Sequence, residues 1–210
     1  MANAVKKKPL PTIGVDRYTF FKLETDTAEK PIYGEPYTLK GLVEIAPTDS
    51  GGSEPFEADN GIYEVSSYIE KIGHDITNAD IPPEVDAIWR GLEQKNGLTE
   101  VDTNIKTVYF ATAWRLLKSD NTYRYVRYYK GAYSFASNVG GKTKKMSGAP
   151  EKQTAKATYT AVQRDCDNKY YAYIDEADLP ADMTRVEFEE KWFTDVNWYP
   201  NSIPEPAPAE

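Results

Sequence analysis

The sequence predicts a mainly β fold: a β-sandwich or barrel flanked by one short α-helix, with a C-terminal helix and a long inter-strand loop. Three observations point there. In segment after segment between positions 14 and 174, apolar residues recur at every second place, the period of a half-buried strand. Aromatic residues supply much of the apolar content, 16 Tyr and 4 Trp among 210 residues, and such side chains pack well on pleated surfaces. Helical signals surface in two short segments, near residues 80–92 and 184–193.

Residues 14–23 open the pattern, with Tyr18 and Phe20 on one face and Arg17, Thr19 and Phe21 on the other. Tyr33-Gly34-Glu35-Pro36 reads as a turn. A strand over 37–46 follows, setting Leu39, Val43 and Ile45 against Lys40 and Glu44. Residues 47–60 are polar, carry Gly51-Gly52 and have little apolar surface to pack, so they read as a long loop. Loops of that length inside a compact domain are usually functional. Alternation resumes over 61–76, with Tyr63, Val65 and Ile69 opposite Glu64, Ser66 and Glu70.

The period then changes. Val85, Ile88, Trp89 and Leu92 fall at i, i+3, i+4 and i+7, one apolar stripe that makes Trp89 a core residue. Pro82-Pro83 sits at the first turn of this helix and Asn96-Gly97 reads as its stop. Residues 105–118 form a strand with Val108, Phe110, Thr112, Trp114 and Leu116 on one face. Ser119-Asp120-Asn121 turns it into residues 122–130, where Tyr123, Tyr125, Arg127 and Tyr129 oppose Arg124, Val126, Tyr128 and Lys130. After a Gly/Lys loop at 140–150, a strand over 153–164 is expected to pair with 169–174 through a turn at 165–168. Thr184 and Glu187 spell a capping box, with Met183 and Phe188 as its hydrophobic staple, and the helix faces inward through Phe188 and Trp192. The expected organisation is a flexible arm over 1–11, one β domain over 12–199 and a disordered Pro-rich tail over 200–210.

The formal net charge of -8 argues against a DNA-binding domain, which needs a basic face to neutralise phosphates. Cys166 is the only cysteine, so no intramolecular disulfide forms. Lys6-Lys7-Lys8 lacks a following apolar region and is not read as a signal peptide; no run is long enough for a membrane helix, so no membrane insertion is expected.

Several motifs look chemical at first. Residues 136–143, Ala-Ser-Asn-Val-Gly-Gly-Lys-Thr, approach a phosphate-binding loop, but Ala136 replaces its first glycine and residues 144–150 open no helix. Asp165, Asp167 and Glu176 match three calcium-loop positions, yet Lys169 and Tyr170 stand where a ligand and a glycine are required. His74 is the only histidine and reads as a strand-end residue; its spacing to Cys166 supports no metal site. Arg115, Arg124, Arg127 and Lys130, interleaved with tyrosines, read as cross-strand cation–π and hydrogen-bond partners rather than a nucleic-acid platform. No catalytic residues, metal ligands or cofactor site are assigned, and the chain is not expected to be an enzyme. A carbohydrate- or protein-binding β-sandwich module is the alternative to an assembly role.

Read in order, several phrases resemble the major tail protein family of long, non-contractile-tailed bacteriophages. They are Tyr33-Gly34-Glu35-Pro36; Ala58-Asp59-Asn60-Gly61-Ile62-Tyr63-Glu64; and Ile76-Thr77-Asn78-Ala79-Asp80-Ile81-Pro82 with the helix ending at Gly91. Arg124-Tyr125-Val126-Arg127-Tyr128-Tyr129-Lys130-Gly131 and a terminal helix ending Trp192-Phe193 complete the set, which spans residues 14–196. Gly51-Gly52-Ser53 departs from the family pattern, and no appended immunoglobulin-like domain is seen, so no host-surface decoration is expected.

The resemblance implies a structural virion protein of the tail, made in the bacterial host cytoplasm. It implies hexameric rings stacked into a tail tube, with tape-measure, terminator and baseplate proteins as partners and genomic DNA passing transiently through the lumen. The inter-ring element would be the loop Thr48, Asp49, Ser50, Gly51, Gly52, Ser53, Glu54, Pro55, Phe56, Glu57, Ala58, Asp59 and Asn60, poorly ordered until rings stack. Glu44, Glu64 and Glu70 share the polar parity of their strands and are candidates to face the lumen, where like charge keeps DNA from adhering.

Overall fold

The computed structural model describes residues 9–101, 103, 106–134 and 140–200. Its main feature is an eight-stranded antiparallel sheet in the order β2 (Ile32–Leu39), β1 (Thr12–Thr25), β9 (Phe110–Lys118), β10 (Tyr123–Tyr133), β11 (Ala155–Ala161), β6 (Gly73–Asn78) and β3 (Leu42–Pro47). The eighth strand, β12 (Tyr171–Asp175), pairs with the first half of β10, from Arg124 to Tyr128, while β11 pairs with its second half, from Gly131 to Tyr133. Two separate two-stranded sheets complete the β structure: β4 (Ser50–Ala58) with β5 (Gly61–Lys71), and β7 (Gln94–Lys95) with β8 (Leu98–Thr99). The fold is therefore mainly β, with two α-helices among the described residues, α1 (Pro83–Arg90) and α2 (Arg185–Trp192).

Alternation decides which side chains meet which layer. One cluster gathers Tyr18, Phe20, Trp89, Phe110, Trp114, Tyr128 and Tyr159, and draws residues from every strand of the main sheet except β12. The sheet curls to enclose it, bringing β3 close to β1. Helix α1 closes this side: Val85 and Trp89 are buried, and Trp89 stacks on Tyr133 with centroids 3.9 Å apart. Gly91 ends α1 in the left-handed region, φ 66°, and its N–H reaches back to the last turn, as a C-terminal glycine should. The second cluster lies on the opposite face, where Phe21, Ala113, Tyr125 and Tyr129 receive Phe188, Trp192 and Phe193 from α2 and the residues after it. β1 thus buries both faces around residues 18–21.

Helix α2 is held by charge as well as by apolar packing. Glu189 accepts from Arg17, Arg115 and the Tyr125 hydroxyl at 2.8, 2.6 and 2.8 Å. Its capping box forms as the residue spacing predicts: Glu187 N–H donates to Thr184 Oγ1, and Thr184 N–H to Glu187. Arg127, fully buried, donates to the carbonyls of Trp192, Val196 and Trp198 and lies 3.8 Å over the Trp192 ring. It satisfies carbonyls at and beyond the helix end that would otherwise be orphaned.

Several sequence expectations are corrected. Tyr33-Gly34-Glu35-Pro36 is no turn; it lies within β2, whose pairing with β1 extends through Pro36 and Tyr37. The expected strand over 37–46 is broken at Lys40-Gly41 into β2 and β3, which end up at opposite ends of the sheet order. Asn96-Gly97 does not stop α1, which ends at Gly91; it turns β7 into β8. Ile88 is on the solvent side of α1 rather than in its buried stripe. β12 pairs with β10 and not with β11. Finally, the expected loop over 48–60 is mostly strand, and the expected strand over 61–76 is two strands in different sheets.

Candidate assembly surface

β4 and β5 form an arm. Its two strands pair with each other from Ser50↔Lys71 to Ala58↔Gly61, and the turn between them is the dipeptide Asp59-Asn60. Both turn residues have positive φ, 50° and 63°, the combination required by the tight hairpin turn whose twist matches its strands. The correction to the loop reading has a physical cause. The polar segment has few apolar residues of its own, but the backbone ladder to β5 supplies its hydrogen bonds, so no core is needed to order it. Gly52 lies beneath the Tyr68 ring, where a Cβ would sit 2.7 Å from the hydroxyl oxygen. An aromatic lying across a strand glycine is a known device for pinning register.

The arm continues the β3–β6 pair outward. Pro47 pairs with His74, Thr48 N–H donates to the Gly73 carbonyl, and Gly73 N–H donates to Asp49 Oδ1 at 3.0 Å. Beyond this root the arm runs eight or so residues, about 25 Å at the usual rise per residue. Every residue of β5 from Gly61 to Glu70 is exposed. That includes Tyr63 at 73 %, Val65 at 55 % and Ile69 at 64 %; Val65 and Ile69 share a face, with Pro55 paired to Val65, while Tyr63 sits at a register shift near the tip and meets the Phe56 ring. Phe56 on the partner strand β4, and Tyr68 on the other face of β5, are exposed too. A lone two-stranded hairpin is marginal in water, and a row of uncovered apolar side chains marks an interaction surface.

The three candidate lumen carboxylates are all exposed, on two elements. Glu64 and Glu70 are exposed on the arm, and Glu70 accepts from Ser50 Oγ at 3.4 Å. Glu44 is exposed on β3 of the main sheet, opposite Thr77, at the edge of a polar groove of about 500 Å³ with Asp75, Lys156 and Thr158.

Arg115, Arg124, Arg127 and Lys130 are each engaged internally. Arg115 pairs with Asp16 and Glu189 and covers the Tyr123 ring, Arg124 pairs with Asp175, and Lys130 pairs with Asp26 and Asp165. Arg124 and Lys118 together hold the Asp175 carboxyl down at about 2. The strand interior therefore presents no basic platform at these residues. Of the calcium-like trio, Asp165 is paired with Lys130, Asp167 is buried against Arg164, and Glu176 accepts from Tyr123 N–H. Residues 144–150 of the phosphate-loop candidate form no helix, and residues 136–139 lie outside the described residues. The N-terminal arm up to residue 8 and the tail from 201 lie outside them as well.

His74 stands second in β6, close to the strand's start, and its side chain turns inward. It is fully buried in β6, ringed by Trp114, Tyr128 and Tyr159, with Nε2 2.9 Å from the Tyr18 hydroxyl. Burial pushes its pKa from 6.5 down to about 3, so it is neutral at physiological pH.

One concavity carries exposed aromatic surface. Trp114, Tyr128, Tyr171 and Tyr173 stack in succession at 5.3, 4.8 and 6.3 Å between centroids, running from the core to the surface. They floor a cleft of about 240 Å³ whose wall includes Ile45, Pro47, Asp49 and Arg124. Sequence reading missed this ladder and the exposure of the arm's apolar residues. The arm had a signal: Asp59-Asn60-Gly61 between extended segments is hairpin chemistry. The ladder had none, because β10 and β12 meet only in three dimensions. Neither protein-family models nor curated proteins match the chain.

Proposed function

We propose that this chain is a structural virion protein that self-assembles into stacked hexameric rings, the tail tube through which phage DNA is ejected. The observation that carries the reading is the arm: about 25 Å of self-paired hairpin with Tyr63, Val65 and Ile69 uncovered. Such an element has no evident purpose in an isolated copy and suits contact between copies. The resemblance to major tail proteins, which includes the arm's own turn from Ala58 to Glu64, supports it. So does the net charge of -8, since a conduit for a polyanion works by repelling it. The arm takes the place of the inter-ring loop, entering assembly as a preformed ladder rather than by ordering a flexible segment. Its partners would be further copies of itself along with tape-measure, terminator and baseplate proteins.

Negative-stain microscopy of the concentrated protein tests the reading. Rings or tubes with a central channel are expected; monodisperse single copies would overturn it. The alternative, a carbohydrate- or protein-binding module, has the Tyr171–Tyr173 cleft in its favour and stays small in the same micrographs.

A further inference from the structure

We propose that the aromatic cleft floored by Trp114, Tyr128, Tyr171 and Tyr173 is the receptor for the tip of the arm of a second copy of this chain. The inference rests on the assembly reading and assigns the contact that carries it.

Reach selects a second copy as the occupant. Pro47 and Asp49 form part of the cleft wall, and Ser50 begins the arm, so arm and cleft share one root. The tip residues Ile62 and Tyr63 stand about 25 Å beyond it along a continuous ladder. Returning them to their own cleft would require breaking that ladder.

Size and chemistry agree. The cleft's 240 Å³ accepts one or two large side chains and falls below the roughly 300–1,000 Å³ of usual small-molecule sites. Its floor offers ring faces, with Tyr173 62 % exposed, and the tip offers Ile62 at 67 % and Tyr63 at 73 %.

An arm on one copy entering a cleft on the next is a heterologous contact. It leaves a free arm and a free cleft at the ends of every open oligomer, so such contacts close into rings or grow without limit.

A cysteine-pair experiment decides it. In a Cys166→Ala background, an Ile62→Cys copy is mixed with a Tyr173→Cys copy and treated with a short bis-maleimide. Ile62→Cys mixed with Val186→Cys, exposed on α2, is the control. Wild-type protein is imaged in parallel. Covalent dimer from the Ile62/Tyr173 mixture, absent from the control and lost when Tyr171→Glu is added to the cleft copy, is the expected result. No Ile62/Tyr173 product while wild-type rings persist overturns the pairing and leaves the tube reading standing. Specific product without rings or tubes keeps the pairing and removes the tube. Equal product in the control, or neither product nor rings, overturns the pairing.

Discussion

β5 and β6 are consecutive, separated by Ile72 alone, and both alternate, yet Ile69 is 64 % exposed while Ile76 is fully buried. β6 lies between β11 and β3 and has the closed inner face of the sheet beneath it. β5 has one partner, β4, and no layer beneath it among the described residues. Alternation therefore reports a pleated strand with an apolar face; what that face meets is set by how many neighbours the strand acquires. Where the molecule itself supplies none, the free face is the place to look for another molecule.

The sharpest test of the contrast removes one side chain from the covered region. Trp89→Ala takes away a ring that stacks on Tyr133 and meets Phe20, and should cost about 3–5 kcal/mol in chemical denaturation. A loss below 1 kcal/mol would mean that α1 is not part of the packed core.

Arg127→Leu acts on the opposite face of the sheet. It deprives the carbonyls of Trp192, Val196 and Trp198 of their donor, at about 1–3 kcal/mol for each acceptor left buried and unpaired. Hydrogen exchange should show residues 193–199 opening while the strands around Trp114 keep their protection. Uniform opening of the whole chain would contradict a local clamp.

His74 gives the covered region a pH dependence. Its folded pKa, about 3, lies below the 6.5 of an unfolded histidine, so between these values the unfolded chain binds more protons. Stability should fall as pH drops from 6.5 toward 3, by up to about 1.4 kcal/mol per pH unit. Comparing urea midpoints at pH 7 and pH 5 with those of His74→Phe isolates this contribution. A pH response equal in the two proteins would assign the acid sensitivity to carboxylates instead.

The smallest effects on stability belong to the arm. Replacing residues 51–70 with a short Gly-Ser turn should leave the melting temperature nearly unchanged, since residues 61–70 are exposed and pair with β4 alone among the described residues, and should abolish rings and tubes in the microscope. Normal tubes from that variant would remove the arm from assembly. Glu64→Lys with Glu70→Lys, both exposed, should change stability by less than about 0.5 kcal/mol. If these carboxylates face the lumen in the assembled tube, the double variant assembles and slows DNA ejection; unchanged ejection kinetics place them elsewhere.

Much of the sheet was legible in the residues because its information is local. The period-two patterns of β1, β9 and β10, the Ser119-Asp120-Asn121 turn, the stripe of Val85 and Trp89 and the Thr184–Glu187 capping box each act within a few positions along the chain. What the tertiary structure alone decided is long-range. β10 shares its two halves between β12 and β11, the Lys40-Gly41 break sends β2 and β3 to opposite ends of the sheet, and His74 finds its aromatic enclosure in four other strands. The arm belongs to both kinds. Its turn was written in Asp59-Asn60-Gly61, but its exposure was not, because a strand's solvent access depends on neighbours that lie far away in the chain. The same residues would be core if another strand lay beside them, and hydrophobicity carries no direction of its own.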